Sequence, residues 1–345
     1  MRQASFRVLT IAGATVLALV VVEVAFRIFG LSSVPQPMNV DPERVFHEAD
    51  ATLGYKLRPG SKGVFQGAEV EINSLGCRGP EIGDEGPLVL ALGDSITFGA
   101  GVAEADAFPS LLRSLLAPSG TRVLGCGVSG WNLEQMLKRY DRDLGALHPG
   151  VVVVNLFVDD LSPPYELADR SVGTWLRRHS AAFRTIELSR LWPGSGNRPL
   201  PGWARDQGEY AAAVQLRFAT WLQARRSEGV SVIVVTHPQL HQAKEQVAGP
   251  LEQLGRLAGT AGVPLIRMRP VYASATEGDL LKLSIHPETH DPHPTAEGHA
   301  LIASEIVRTL RDHPGPQDPA SPLAAVPGLT SPDLPGRVCA LVGAG

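Results

Sequence analysis

The chain has 345 residues, enough for one large domain or two small ones, and it carries a net charge of −4. A negative net charge argues against nucleic acid as a partner, and the sequence has no run of Arg and Lys interleaved with aromatic residues that would favour one. Three cysteines are too few for a disulfide scaffold, and 44% hydrophobic residues describe a globular protein with an apolar surplus.

The first 30 residues differ from the rest and predict a membrane anchor. Arg2 and Arg7 precede an apolar run over residues 8–22, which is close to the ~20 residues that span a bilayer. Positive charge before the run predicts that the N-terminus stays inside and that the rest of the chain is exported. A cleaved signal peptide is the competing interpretation.

Composition divides the remainder into three parts. Residues 31–86 begin with a Pro- and Ser-containing stretch typical of a stalk and continue with short runs that predict small β-elements. Residues 87–312 form the predicted main domain, in which the insertion at residues 163–206 is expected to act as a lid. Residues 313–345 are Pro-rich and aperiodic, as in a disordered tail.

Cysteine usage leaves two alternatives for Cys77 and Cys126. Exported thiols can pair, but both cysteines stand where a buried apolar residue is expected. We therefore predict that they are small core side chains.

The main domain alternates between apolar runs and amphipathic patterns. The predicted strands cover residues 88–92, 122–126, 151–157, 230–236 and 264–268, and the predicted helices cover residues 107–116, 133–147, 210–227, 244–261 and 295–310. Such alternation predicts a five-stranded parallel sheet with helices on both faces. The crevice at the carboxyl ends of its strands is then the expected ligand site.

The stretch over residues 87–101 is expected to carry the site. Its apolar run ends in Gly93-Asp94-Ser95, so that Ser95 stands at the carboxyl end of a buried strand. In that place a serine is either a nucleophile or the N-cap of the following helix.

A base for this serine is present near the end of the chain. His293 follows Asp291 by two positions on a Pro-stiffened loop, so the imidazole can take the serine proton while the carboxylate orients it. The alternative is a solvated loop that caps the last helix through Thr295. His286, His290 and His293 have no partner at a familiar metal-ligand spacing, so neither a metal nor a cofactor is expected.

The loop after the second strand predicts an oxyanion hole. A backbone N–H can approach an oxyanion closely where no side chain intervenes, so the N–H groups of Ser95 and Gly130 are the candidate donors. A plain turn glycine is the alternative. Trp131 lines an acyl or sugar pocket or belongs to the core, and Asn132 is a further candidate donor. With Asp94 these two make up the predicted substrate-binding residues.

These stretches resemble the motif blocks of the SGNH/GDSL hydrolase family, specifically its membrane-anchored bacterial members. Gly93-Asp94-Ser95 is similar to the first block, Gly130 to the second, and Asp291 with His293 before proline to the last. The resemblance runs from about residue 50 to residue 310. It implies a three-layer α/β/α flavodoxin-like fold and a Ser95–His293–Asp291 triad.

One block departs from the family pattern. The family's third block is usually Gly-x-Asn-Asp, and its Asn amide donates to the oxyanion, whereas this chain has Phe157-Val158-Asp159-Asp160. A carboxylate at Asp159 cannot donate, and the loss of one such donor typically costs about 10²–10³ in rate. Asn155, in the preceding strand, is the other candidate for this donor.

The resemblance implies an exported, membrane-anchored serine esterase that acts on O-acyl esters, O-acetyl esters foremost. The expected partner is an acylated small molecule or glycan, and the expected place is the periplasmic side of a bacterial cell membrane, held by a single-pass helix. A glycan O-acyltransferase, or a non-catalytic glycan-binding accessory protein on a degenerate hydrolase scaffold, are the alternatives.

Overall fold

A computed structural model of the chain describes residues 2–28, 45–162, 164, 180, 207–240, 248–289 and 291–313. The chain divides into two compact units, one of residues 1–42 and 166–206 and the other of residues 43–165 and 207–345. The predicted stalk at residues 31–41 and the tail beyond residue 313 lie outside the described residues, and so does the lid apart from Pro164 and Ser180.

The first unit contains helix α1 (Arg2–Ile28). Among the helices that the structure describes, none is both long enough and apolar enough to cross a membrane. The membrane anchor predicted for residues 1–30 stays a prediction.

The second unit is built on a parallel sheet of the strands β5 (Leu88–Gly93), β6 (Arg122–Gly127), β7 (Val151–Leu156), β8 (Ser231–Thr236) and β9 (Leu265–Arg267). Their order across the sheet is β6-β5-β7-β8-β9. Nearly every residue of the three central strands is buried, because helices cover both faces of the sheet. The prediction of a five-stranded parallel sheet is confirmed.

The helices flank this sheet on both faces. They are α2 (Ser95–Phe98), α3 (Phe108–Leu116), α4 (Leu133–Arg142), α5 (Gln207–Ser227), α6 (Ala248–Thr260), α7 (Met268–Ala275) and α8 (Ala296–Asp312). Alternate strand residues such as Val89 and Val153 pack with α3, α7 and α8 in one core cluster. On the other face, α4, α5 and α6 contact the strands.

Two antiparallel hairpins precede the sheet, as the short alternating runs predict. They pair β1 (His47–Asp50) with β2 (Gly54–Leu57), and β3 (Lys62–Phe65) with β4 (Ala68–Glu71). The hairpins contact the carboxyl edge of the sheet, where the Tyr55 hydroxyl donates to the Ser129 carbonyl at 2.9 Å.

A disulfide joins this N-terminal segment to the sheet. Cys77, in the loop after β4, is bonded to Cys126 in β6, with 4.7 Å between their Cα atoms. Both side chains are buried, as predicted, but they form a disulfide, the alternative that the sequence left open. The pairing depends on a contact between residues 49 positions apart, which no local pattern reveals.

Candidate active site

The site lies where four neighbouring parallel strands end. Gly93 at the end of β5 is aligned with Gly127 at the end of β6, and Leu156 of β7 is aligned with Thr236 of β8. Because the strands are parallel, the loops that follow them lie at one edge of the sheet. The sequence predicted this common edge from the alternation of strands and helices.

Ser95 is the first residue of α2, directly after the turn that ends β5. The Asp94 carboxylate caps this helix by accepting the Ile96 N–H at 2.9 Å, and it is only 5% exposed. The Asp94 carboxylate is thus the cap of this helix, and the substrate contact expected from the sequence stays a prediction. The N–H groups in the first turn of a helix have no partner within it, and the N–H of Ser95 is one of them.

Two glycines allow the loops around Ser95 to approach each other closely. A Cβ on Gly93 would lie 2.8 Å from the Thr97 Cβ and 3.0 Å from the Asn155 carbonyl oxygen. A Cβ on Gly127 would lie 2.6 Å from the Asp94 carbonyl oxygen. Both positions need glycine because a side chain would overlap these neighbours. The backbone conformation is not the reason, since neither residue has a positive φ.

Gly130 lies three residues beyond Gly127, in the loop that follows β6. Its φ is +77°, which a residue with a side chain rarely adopts. The Trp131 N–H donates to the Val128 carbonyl at 3.0 Å, and this bond closes a tight turn around Gly130. The turn therefore needs this glycine irrespective of any oxyanion role.

Asp291 and His293 form a hydrogen-bonded pair. The ring nitrogen Nδ1 of His293 lies 2.7 Å from Asp291 Oδ1, which also accepts the His293 backbone N–H at 2.8 Å. Burial alone would raise the pKa of Asp291, but these hydrogen bonds and the nearby His286 lower it below the ordinary value. The carboxylate therefore stays ionised and holds the ring by its Nδ1 side, which leaves Nε2 directed away from Asp291.

The loop that carries this pair is tied to the residues before it. The Ser284 hydroxyl donates to the Asp291 carbonyl at 2.7 Å, and the Ile285 N–H donates to the His293 carbonyl at 3.1 Å. The side chain of Ile285 lies against Gly101, where a Cβ would overlap it. The histidine loop thus contacts the segment that follows α2.

Three predicted site residues have structural roles. Asn132 caps α4, and its amide donates to the Ser162 carbonyl at 2.7 Å and to the Tyr210 hydroxyl at 2.8 Å. Trp131 is 3% exposed, and its indole N–H donates to the Tyr55 carbonyl at 3.1 Å. Of the two roles that the sequence left open, pocket or core, this is the core.

The third residue, Asn155, belongs to a buried polar chain that sequence reasoning missed. Its amide donates to the Thr97 hydroxyl at 3.1 Å, and its Oδ1 lies 2.5 Å from Nε2 of His237. On the other side of that ring, Nδ1 lies 3.2 Å from the Tyr272 hydroxyl. Asn155 is fully buried and engaged at both ends, so we do not assign it to an oxyanion hole.

The third motif block forms a short 3₁₀ turn, Val158–Leu161, after β7. The carboxylate of Asp160 is buried and accepts the Phe157 N–H at 2.8 Å, which closes this turn. The side chain of Asp159 lies outside the described part of the chain. Its expected effect on an oxyanion stays a prediction.

Ser95 begins a helix at the end of a parallel strand, and the Asp291–His293 pair precedes α8, the last helix in the described part of the chain. The model of the GDSL-like lipase/acylhydrolase family matches residues 91–301, more than half of the 345 residues, and the chain belongs to this family. The resemblance to SGNH/GDSL hydrolases predicted from the motif blocks is confirmed.

Solved structures of low sequence identity are also similar. A catalytic mutant of Axe2, an acetylxylan esterase from Geobacillus stearothermophilus, is 15% identical, with 66% of this chain and 95% of that chain covered and a TM-score of 0.46. A lipase/acylhydrolase from Enterococcus faecalis is 16% identical, with 65% and 95% covered and a TM-score of 0.42. The search of curated proteins finds no match.

Proposed function

We propose that this protein is a serine esterase that cleaves O-acyl esters with a Ser95–His293–Asp291 triad. The observation that carries the proposal is the Asp291–His293 hydrogen bond of 2.7 Å, in a loop that contacts the segment following Ser95. An imidazole oriented in this way by a half-buried carboxylate is what a general base needs in order to activate a serine.

In the proposed reaction the Ser95 hydroxyl oxygen attacks the ester carbonyl carbon while Nε2 of His293 takes the hydroxyl proton. The resulting oxyanion accepts hydrogen bonds from the N–H groups of Ser95 and Gly130. The C–O bond to the alcohol then breaks, and His293 returns the proton to the leaving alkoxide. Water repeats the sequence on the acyl-enzyme and releases the carboxylic acid.

We propose an acetyl group on a glycan as the preferred substrate and an exported location for the enzyme. The Cys77–Cys126 disulfide supports export, because disulfides persist mainly in oxidising compartments. The apolar run at residues 8–22 supports a membrane anchor or a leader. Alkaline extraction of membranes that contain the full chain tests this: an integral anchor keeps the protein in the pellet, and release contradicts anchoring.

The esterase proposal is tested with p-nitrophenyl acetate, butyrate and octanoate and with a fluorophosphonate probe that labels activated serines. We expect labelling and hydrolysis to be lost in Ser95→Ala and in His293→Ala. His313→Ala is the matched control, because this histidine is exposed at the end of α8 and should leave the rate unchanged. Acetate should be cleaved fastest of the three esters.

Equal rates in the parent protein and both site variants would end the esterase proposal. They would favour the non-catalytic scaffold, for which Asp159 in the place of the family's Asn is the motivating observation. Transfer of acetyl to an added oligosaccharide, in preference to water, would instead identify an acyltransferase that uses the same acyl-enzyme.

A further inference from the structure

Arg78 binds the end of α2 and the residues that follow it. Its guanidinium Nη1 donates to the Phe98 and Gly99 carbonyls at 3.1 and 2.6 Å. Its Nη2 donates to the Val102 carbonyl at 3.0 Å and to the Glu69 carbonyl of β4 at 2.9 Å. Three of these four acceptors lie within residues 98–102, and Arg78 is only 5% exposed.

The chemistry of the guanidinium explains why arginine occupies this place. The last carbonyls of a helix have no partner within it and favour a cation, and a planar fork of donors can bind several of them at once. The ring of Phe98 also lies under the guanidinium, 5.2 Å from its carbon to the ring centroid. Burial lowers the pKa of Arg78, while the nearby Glu104 carboxylate opposes this effect.

The bound segment contacts Ser95 and also Ile285, which is hydrogen-bonded to the His293 backbone. The Ser95 carbonyl accepts the N–H groups of Gly99 and Ala100, each at 3.0 Å. Gly101 lies against the side chain of Ile285, whose N–H holds the His293 carbonyl. A displacement of residues 98–102 would therefore move the serine and the histidine loop relative to each other.

The disulfide fixes the residue next to this arginine. Cys77 is bonded to Cys126, and the residue after Cys126 is Gly127, which packs against the Asp94 carbonyl. The loop after β4 is thereby held at two adjacent positions against the edge of the sheet that carries Ser95.

We propose that Arg78 is a positioning residue for catalysis, which holds residues 98–102 so that Ser95 and His293 keep their alignment. This inference rests on the proposed esterase function and adds to it a residue outside the family-matched region, which begins at residue 91. Arg78 acts through backbone carbonyls and does not itself touch the reacting atoms.

The test compares Arg78→Lys with Arg225→Lys in the full-length protein. Lysine keeps the charge but presents a single ammonium group in place of the fork. Arg225, in α5, is a suitable control because it is also an arginine of low exposure. It stacks on Tyr140 and Trp221 and pairs with Asp141 and Glu228. Folding of each variant is checked by urea unfolding before kcat and KM are measured on p-nitrophenyl acetate.

We expect Arg78→Lys to lower kcat by about 10–100-fold with KM changed less than about threefold, because small misplacements of catalytic groups cost rates of this order. The rate of fluorophosphonate labelling should fall in parallel. Arg225→Lys should keep kcat within about twofold of the parent's, even if its free energy of unfolding falls as far as that of Arg78→Lys. A folded Arg78→Lys with the parent's kcat, or with a change in KM alone, overturns the proposal.

A second variant decides the matter if Arg78→Lys does not fold. Ile285→Ala trims the contact between residues 98–102 and the histidine loop at a half-buried side chain. It should lower kcat and the labelling rate without a comparable rise in KM, and an unchanged kcat overturns the proposal. Absence of Ser95-dependent turnover in the parent protein would instead refute the proposed function itself.

Discussion

Acid should destabilise this protein through two histidines that are buried in the neutral form. His237 is 2% exposed between Asn155 and Tyr272, and burial lowers its pKa to about 3. His299 is fully buried and accepts the Phe108 N–H at 3.3 Å. Burial, and then the charges of His237, His293 and Arg78, lower its pKa to about 3 as well.

The direction of the effect follows from proton uptake by the unfolded chain. An unfolded histidine binds a proton below its pKa of about 6.5, whereas these two stay neutral in the folded protein down to a pH of about 3. The free energy of unfolding therefore falls as the pH drops from about 6.5 toward 3. Between pH 7 and pH 5 each histidine accounts for about 2 kcal/mol, and both together for about 4 kcal/mol as an upper value.

Urea unfolding followed by tryptophan fluorescence at pH 7, 6 and 5 measures this loss directly. His237→Gln and His299→Gln should each lose about 2 kcal/mol less than the parent protein over that interval, because glutamine does not titrate. His313→Gln, at an exposed site, should keep the parent's pH dependence. Equal pH dependence in the parent protein and both buried-site variants would show that these histidines are not held neutral, and would refute the reasoning.

Three further predictions concern the site and its disulfide. Asp291→Asn should lower kcat by about 10⁴-fold with little change in KM, because the His293 ring loses the carboxylate that orients and stabilises it; a loss below tenfold in steady-state kinetics would contradict this. Asp159→Asn should raise kcat, by at most the about 10²–10³-fold that one oxyanion donor contributes. A fall of kcat in the same assay would give this carboxylate a role of its own. Replacing Cys77 and Cys126 together by Ala should lower the free energy of unfolding by about 4 kcal/mol, as expected for a closed loop of about 50 residues; unfolding in urea that does not respond to the change or to reductant would exclude the pairing.

Patterns that are local in the chain were sufficient for the framework. Apolar runs such as residues 88–92, each followed by glycine or polar residues and then by a helical pattern, predict the strands of the parallel sheet and the edge at which they end. The Asp291–His293 pair was also predictable, because both members lie on one short loop and their spacing limits how far apart they can be. The helix predicted over residues 133–147 is interrupted, since α4 ends at Arg142 and a 3₁₀ turn, Leu144–Leu147, follows.

The roles of single polar side chains, by contrast, were decided by tertiary contacts. A buried amide or guanidinium must find partners wherever the fold brings them. Three of the four acceptors of Arg78 lie 20 to 24 positions along the chain, and the partners of Asn155 lie 58 and 82 positions away. The sequence by itself therefore determined the fold class, the family and the residue types available for catalysis, since each of these is written in short-range patterns. Only the tertiary structure decided that Asn155 and Asn132 are engaged inside the protein, that Cys77 pairs with Cys126, and that Arg78 binds the backbone carbonyls of residues 98–102. These contacts depend on which distant atoms meet when the chain is folded.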